Sequence, residues 1–190
     1  MRLGVFGGSF DPPHLGHLLA ASDACEALAL DRLLFVPAAR QPLKTGVAEA
    51  TPEQRARMLE LMVGVDARFA VDRLELLREG LSYTADTLAE LAARHAGASL
   101  FLLIGEDLAA QIATWREPAR IAALAEIVVL VRGADASFTA PAAPPMRRLV
   151  TRRIDLSSTE IRARVRAGKP IAGFVSEAVA RFIRDAGLYQ

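Results

Sequence analysis

The chain has 190 residues, of which 52% are apolar or aromatic and 24% are charged, with a formal net charge of +1. This length suits one domain with a full core, and the near-zero charge argues against nonspecific binding of nucleic acid. No apolar run approaches the length of a membrane span, and no signal-peptide pattern precedes the first strand. We therefore expect a cytoplasmic protein with a single domain over residues 1–190 and no nucleic-acid or membrane partner. The sequence leaves the oligomeric state open, a homo-oligomer included.

Short strand patterns alternate with longer helical patterns, which predicts a Rossmann-like open parallel α/β sheet with helices on both faces. Thr51 to Gln54 predicts a capped helix start, with Pro52 at the first helical position. The alanine- and proline-rich stretch 134–145 predicts a surface excursion. The predicted strands are 2–6, 32–36, 69–72, 99–104, 127–131 and 148–154, and the predicted helices are 14–28, 82–94, 118–124 and 174–186, with two more starting at Pro52 and Ser157.

The first strand runs into GGSFDPPHLGH, residues 7–17. Two glycines at a strand end permit a tight turn or the close approach of a ligand. His14 and His17 are three residues apart, so their imidazoles project from about the same side of a helix and can take charge near neutral pH. Because a helix N-terminus favours anions, the stretch predicts a site for a phosphate chain. Asp11 before Pro12 fits a turn-forming role better than a catalytic one.

A second stretch, Ser157 to Arg162, offers hydroxyls and N–H groups at a helix start and a guanidinium about one turn later. Taken alone it fits a well-capped helix equally well, with Glu160 completing a capping box from Ser157. Together the two stretches suit a triphosphate better than a lone metal ion. A zinc site needs three or four ligands, and the third histidine, His95, lies on a different predicted helix.

Several common nucleotide sites are absent from the sequence. There is no GxxxxGK[ST] loop, which argues against a P-loop phosphohydrolase. There is no GxGxxG after the first strand, which argues against a dinucleotide-binding dehydrogenase.

GGSFDPPHLGH resembles the signature of the nucleotidyltransferases with an HxGH motif, and LSSTEIR at 156–162 resembles their ISSTxIR motif. These two motifs also admit phosphopantetheine adenylyltransferases and cytidylyltransferases. The middle and the end of the chain are similar to nicotinate-nucleotide adenylyltransferases, so the resemblance spans essentially the whole sequence. The similar stretches are ELLREGLSYTADTL at 75–88, LIGED at 103–107 followed by Trp115, VRG at 131–133, and GLY at 187–189.

The resemblance implies a nucleotidyltransferase-type fold and the joining of nicotinate mononucleotide to the AMP part of ATP. The products are deamido-NAD and pyrophosphate, formed by in-line attack without a covalent intermediate. It implies catalytic roles for His14 and His17, and Mg²⁺ held mainly by the ATP phosphates, with no metal ligands from the protein. The implied ATP-binding residues are Gly7, Gly8, Ser9, Phe10, His14, His17, Gly105, Ser157, Ser158, Thr159 and Arg162. The implied acceptor-binding residues are Lys44, Tyr83, Thr84, Asp107, Trp115 and Arg132.

Other functions stay open at this point. A related enzyme with nicotinamide mononucleotide or phosphopantetheine as acceptor uses the same chemistry, and a non-catalytic nucleotide sensor uses the same fold. Without the resemblance, Trp115 fits a partly buried core aromatic as well as a stacking platform. Donors around Tyr83 and Thr84 predict a preference for nicotinate over nicotinamide, because the acid carries a carboxylate.

Overall fold

The computed structural model describes residues 1–39, 48–64, 66–78, 80–133 and 144–190. The strands within these residues are β1 (Arg2–Gly8), β2 (Arg32–Pro37), β3 (Phe69–Val71), β4 (Ser99–Gly105), β5 (Ala125–Arg132) and β6 (Met146–Thr151). They form one sheet in the order β3-β2-β1-β4-β5-β6, and every pairing is parallel. The predicted open parallel sheet is confirmed.

Helices cover both faces of this sheet. Successive residues of a strand point to opposite faces, so Phe6 enters one core while Leu3 and Val5 enter the other. This two-sided burial explains why the central strands are continuous apolar runs. The α-helices in the described residues are α1 (Leu15–Ala27), α2 (Pro52–Val63), α3 (Thr84–Arg94), α4 (Glu106–Ala109), α5 (Pro118–Leu124), α6 (Ser158–Arg166) and α7 (Glu177–Asp185), with a 3₁₀ turn at Ile112–Thr114.

The two cores divide the helices between the faces. The core on the Phe6 side takes buried residues from α1, α2, α6 and α7. The core on the Leu3 side takes buried residues from α3, α4, α5 and the 3₁₀ turn. In the part of the chain that the structure describes, no helix combines the length and apolarity needed to cross a membrane.

Several element boundaries differ from the prediction. β1 continues to Gly8 rather than ending at 6, and β5 begins at Ala125 rather than at 127. The sixth strand is Met146–Thr151 rather than 148–154, because it pairs with β5 from Met146 and ends level with Arg132. The last helix begins at Glu177 rather than 174, since the Ser176 side chain caps it by accepting the N–H of Val179 at 3.3 Å. The third helix begins at Thr84, two residues later than predicted.

Two predicted helix features are confirmed. The capping box at Thr51 and Gln54 is present, and α5 has the predicted bounds. Of the predicted surface excursion, residues 134–143 lie outside the described residues.

The strand order places a topological switch point between β1 and β4. The chain leaves β1 toward β2 on one side, and returns to pair with β1 on the other side through β4. In open α/β sheets, ligands bind beyond the carboxyl ends of the strands at such a point. Here β1 ends in Gly7 and Gly8, and β4 ends in Gly105.

Candidate active site

Two of the predicted glycines leave space at the carboxyl edge of the sheet. A Cβ atom added to Gly7 or to Gly105 would meet no heavy atom of the described residues within 4 Å. Gly8 differs, because a Cβ atom there would lie 2.9 Å from the Phe10 ring. Gly7 and Gly105 therefore border a space that a ligand can enter, whereas Gly8 makes room for the Phe10 ring.

Phe10 is a supporting residue for the site. Its side chain is buried, with φ at 51°, and its ring centroid lies 5.1 Å from that of His17 in an edge-on contact. The ring also packs edge-on against Phe6 and Phe35 of the core. The side chain predicted to bind ATP thus fixes the position of an imidazole.

His14 and His17 lie together at the start of α1. His14 is the N-cap residue, and the two ring centroids are 3.7 Å apart. The backbone N–H of His14 donates to Nδ1 of His17 at 3.2 Å. Because Nδ1 of His17 acts as an acceptor, the proton of the neutral ring resides on Nε2. The contact thereby fixes the tautomer of His17.

Burial keeps His14 neutral at pH 7. The side chain is buried, and this burial, followed by the nearby charge of Arg132, lowers the pKa of His14 to about 4. The expectation that both histidines take charge near neutral pH is therefore wrong for His14. A phosphate oxygen at this ring would oppose both causes of the lowered pKa, since a nearby anion favours the charged imidazole.

The glycine between the histidines has a steric role. A Cβ atom at Gly16 would lie 2.9 Å from Nδ1 and 3.0 Å from Cε1 of His14, and 3.7 Å from Ile154. Any larger residue would push the His14 ring out of its place over the first turn of α1. The position of the His14 ring thus depends on the absence of a side chain at Gly16, the third residue of HLGH.

The structure brings the two predicted phosphate-binding stretches together. The Ser158 hydroxyl donates to the carbonyl of Pro12 at 2.8 Å, and Arg162 donates to the carbonyl of Asp11 at 2.7 Å. Ser157 caps α6 by accepting the N–H of Glu160 at 3.1 Å. The start of α6 and the loop before His14 therefore form one unit, although 146 residues separate Ser158 from Pro12.

A carboxylate that the sequence did not reveal lies against this unit. Nε of Arg162 donates to Glu49 at 2.8 Å, and Arg166 pairs with the same carboxylate. Thr159 accepts a longer contact of 3.4 Å from Arg162. Glu49 follows closely on residues 40–47, which lie outside the described residues, and no local pattern marks it.

Asp11 anchors the loop before His14 through hydrogen bonds of its side chain. Its buried carboxylate accepts the backbone N–H groups of Glu49 at 2.8 Å and Ala50 at 3.1 Å. It also accepts the hydroxyl of Tyr189 at 2.7 Å. The preference for a structural role at Asp11 agrees with these contacts, and its partners were not foreseen.

Arg55 is a second support that sequence reasoning missed. Only 1% of the residue is exposed, and it donates to the carbonyl of Ser9 at 2.7 Å and to that of Ala50 at 3.3 Å. Burial lowers the pKa of Arg55, and the charge of Asp11 opposes this shift. A buried guanidinium thus ties the glycine turn to the start of α2.

The predicted acceptor residues fall into two groups. Asp107 and Arg132 lie at the carboxyl ends of β4 and β5, and both are exposed. Tyr83 and Thr84 lie at the start of α3, and Trp115 directly follows the 3₁₀ turn. The guanidinium of Arg116 lies 4.6 Å above the Tyr83 ring, which brings the segment after Trp115 beside α3. Lys44 lies outside the described residues.

Trp115 is partly buried at the edge of one core. The side chain packs against the core on the Leu3 side but is only half-buried. Among the described residues, its buried Nε1 finds no hydrogen-bond partner. A partly exposed indole that is anchored against a core is compatible with the stacking role predicted for it.

Glu75 supports the start of α3 from the interior. Its buried carboxylate accepts the hydroxyl of Thr87 at 2.7 Å. Burial raises the pKa of Glu75, and hydrogen bonds from Thr87 and Ser82 oppose the shift. The carboxylate thus links the turn before Tyr83 to the first turns of α3.

Comparisons with known proteins agree with this architecture. The sequence model of the cytidylyltransferase-like family matches residues 5–164. A probable nicotinate-nucleotide adenylyltransferase of Gemmatimonas aurantiaca is 44% identical over 202 residues, covering 100% of this chain and 93% of its own length. One of Thermus thermophilus is 46% identical over 190 residues and is covered completely, as is this chain.

A solved structure shares the fold. The nicotinic acid mononucleotide adenylyltransferase of Plasmodium falciparum, complexed with NaAD, matches with a TM-score of 0.77 at 17% identity. The match covers 99% of this chain and 97% of that chain. With the fold, the site and the full-length similarity in agreement, the chain belongs to the cytidylyltransferase-like family and, within it, to the nicotinate-nucleotide adenylyltransferases.

Proposed function

We propose that this protein transfers the adenylyl group of ATP to nicotinate mononucleotide, releasing pyrophosphate and forming deamido-NAD in NAD biosynthesis. The observation that carries the proposal is the joining of the HLGH loop and the start of α6 at the switch point of the sheet. Relatives with 44% and 46% identity, both named for this activity, support it. The whole chain acts as one nucleotidyltransferase domain, and a cytoplasmic location belongs to the same proposal.

The chemistry asks for positioning and charge stabilisation. The phosphate of the acceptor attacks the α-phosphorus of ATP in line, and the bond to pyrophosphate breaks as the new bond forms. Such a step needs no covalent enzyme intermediate, because oriented donors stabilise the charge on the phosphate oxygens. His17 donates from Nε2 to the α-phosphate, and His14 contacts the phosphate chain beside it.

The remaining phosphates bind at the start of α6. Its first N–H groups, Ser158, Thr159 and the guanidinium of Arg162 hold the β- and γ-phosphates, where the helix dipole also favours an anion. Gly7 and Gly105 give the nucleotide access to the backbone, since a Cβ atom at either would have no described heavy atom within 4 Å. Gly8, Ser9 and Phe10 shape the turn between these parts.

Magnesium accompanies ATP in this proposal. Within the described ranges, no three His, Cys, Asp or Glu residues cluster in a way that could hold a metal ion. Mg²⁺ requires oxygen ligands and usually retains several waters, so the ATP phosphates fit it better than these side chains do. When bound, the ion neutralises part of the triphosphate charge.

The acceptor occupies the side of the site near α3. Trp115 stacks on the pyridine ring, and donors at Tyr83 and Thr84 meet the nicotinate carboxylate. Asp107 binds a ribose hydroxyl, and Arg132 with Lys44 meets the phosphate of the mononucleotide. This arrangement favours an anionic ring substituent over a neutral amide.

The test is pyrophosphate release from ATP and Mg²⁺ with a panel of acceptors. We expect turnover with nicotinate mononucleotide, weaker turnover with nicotinamide mononucleotide and none with phosphopantetheine. A His17→Ala variant should lose most of this turnover, and full activity in that variant would overturn the mechanism. ATP binding without turnover of any acceptor would favour a nucleotide sensor.

A further inference from the structure

The last turn of the chain reaches the base of the phosphate-binding loop. After α7, Gly187 with φ at 61° and Tyr189 with φ at 65° reverse the chain. Leu188 and Tyr189 are both buried and belong to the core on the Phe6 side. Since a tyrosine in this backbone region is uncommon, its placement requires strong support from its contacts.

The support comes from Asp11. The Tyr189 hydroxyl donates to Oδ1 of Asp11 at 2.7 Å, across a separation of 178 residues. Burial, followed by this hydrogen bond, raises the pKa of Tyr189, so the phenol stays protonated and remains a donor. Arg162 donates to the backbone carbonyl of the same Asp11, so the phenol and the guanidinium share one partner residue.

Asp11 contacts both the segment before α2 and Arg162 of α6. Its carboxylate holds the N–H groups of Glu49 and Ala50, and its carbonyl accepts Arg162 at 2.7 Å. His14 lies three residues further along the same loop. A displacement of Asp11 would therefore move the HLGH loop relative to Arg162.

We propose that Tyr189 is a positioning residue for the ATP-phosphate site, acting through Asp11 on the spacing between the HLGH loop and Arg162. The inference rests on the proposed function for the identity of the nucleotide. Tyr189 does not contact ATP in this proposal, because the phenol is buried and its hydroxyl is bonded to Asp11.

The test compares Tyr189→Phe with Ile183→Val. The first variant removes one oxygen and leaves the ring in the core. The second removes one methylene from a residue of α7 that is 2% exposed and whose side chain has no polar atom with which to bond to Asp11 or Arg162. Both variants lower the unfolding temperature, so the control accounts for a general loss of stability.

The readout is calorimetric binding of a non-hydrolysable ATP analogue with Mg²⁺, together with steady-state kinetics. We expect Tyr189→Phe to weaken analogue binding and to raise the KM for ATP by about tenfold, the scale of one hydrogen bond to a charged group. The KM for nicotinate mononucleotide should stay within about twofold of the wild type, and Ile183→Val should change neither constant by more than that.

A double-mutant cycle with Asp11→Asn locates the effect. If Tyr189 acts through Asp11, the two substitutions are non-additive in analogue binding. Tyr189→Phe lowering only the unfolding temperature, as Ile183→Val does, or an additive cycle, would overturn the proposal. If the wild type binds the analogue but does not turn over nicotinate mononucleotide, the proposed function fails and the binding comparison still decides the role of Tyr189.

Discussion

The carboxylate of Glu49 accepts Nε of Arg162 at 2.8 Å, so the guanidinium proposed for the ATP phosphates is already paired with an anion of the chain itself. The side chain of Arg162 is 20% exposed and that of Glu49 is 38% exposed. A phosphate that approaches Arg162 must compete with this carboxylate. The ion pair therefore opposes ATP binding by the free energy needed to break it.

Glu49→Gln should lower the KM for ATP. Because exposed ion pairs contribute about 0.2–1 kcal/mol, the expected decrease is at most about fivefold. Glu60→Gln is the matched control, since Glu60 pairs with Arg73 at 2.6 Å and has no contact with the site among the described residues. An unchanged or higher KM for ATP in Glu49→Gln would mean that the carboxylate orients Arg162 rather than competing for it.

Gly16→Ala should reduce activity without a loss of stability. Alanine is the better helix former, but its Cβ atom would lie 2.9 Å from Nδ1 of His14 and displace the ring. A displacement of about 1 Å at a positioning group can reduce the rate about a hundredfold, so we expect kcat to fall at least tenfold. Thermal unfolding and steady-state kinetics measure the two effects. Wild-type kcat in this variant would show that the ring position is unimportant.

The lowered pKa of His14 predicts a loss of stability in acid. The pKa is about 4 in the folded protein and 6.5 as the ordinary value, so the unfolded chain binds the proton first as the pH falls. The contribution of neutral His14 to the free energy of unfolding is complete above pH 6.5. It decreases by about 3 kcal/mol as the pH falls to 4.

Urea unfolding of the wild type and of His14→Gln between pH 4 and pH 7 checks this prediction. The variant should lack the part of the acid loss that comes from His14. The same replacement at His95, at the end of α3, is the matched control and should retain that loss. Equal pH dependence in the wild type and His14→Gln would contradict the prediction.

The raised pKa of Glu75 predicts a loss of stability as the pH rises, which is the opposite of the effect of His14. Burial raises the pKa of its carboxyl, so the folded protein retains a proton that the unfolded chain has already released. This contribution to stability is complete below the unfolded value and is lost as the pH rises through the folded value. Glu75→Gln preserves an acceptor for Thr87 and does not titrate. Its free energy of unfolding relative to the wild type should therefore be higher at pH 7.5 than at pH 4.5, and an equal difference at both would refute this.

Thr84→Ala should weaken the discrimination between nicotinate and nicotinamide mononucleotides. The variant removes a hydroxyl donor at the start of α3, where we place the nicotinate carboxylate. Thr84→Ser retains the hydroxyl and is the conservative control. The ratio of kcat/KM for the two acceptors is the measurement. If Thr84→Ala leaves that ratio unchanged, Thr84 does not take part in the choice of acceptor.

Local patterns predicted much of the fold and marked the two stretches that we propose bind phosphate. Apolar runs identified the strands, and the capping box at Thr51 identified the start of α2, because each of these signals lies within a few neighbouring residues. The pairing register that ends β6 at Thr151 and the Ser176 cap that begins α7 were missed, since an apolar pattern alone does not fix a boundary.

Local patterns could not predict the residues that hold the site in place. Tyr189 meets Asp11 across 178 residues, and Arg162 meets Glu49 across 113 residues. No periodicity links positions so far apart, and burial of Arg55 or of His14 is a property of the folded core. The sequence therefore predicted the groups proposed to touch phosphate, while the groups that hold them in place became visible only in the fold.

The most direct measurement is the identification of the product formed from ATP, Mg²⁺ and nicotinate mononucleotide by mass spectrometry, with pyrophosphate counted in the same reaction. The proposed function predicts deamido-NAD and pyrophosphate in equal amounts, and a large loss of both in His17→Ala. No dinucleotide with nicotinate mononucleotide, or pyrophosphate released without it, would contradict adenylyl transfer to this acceptor.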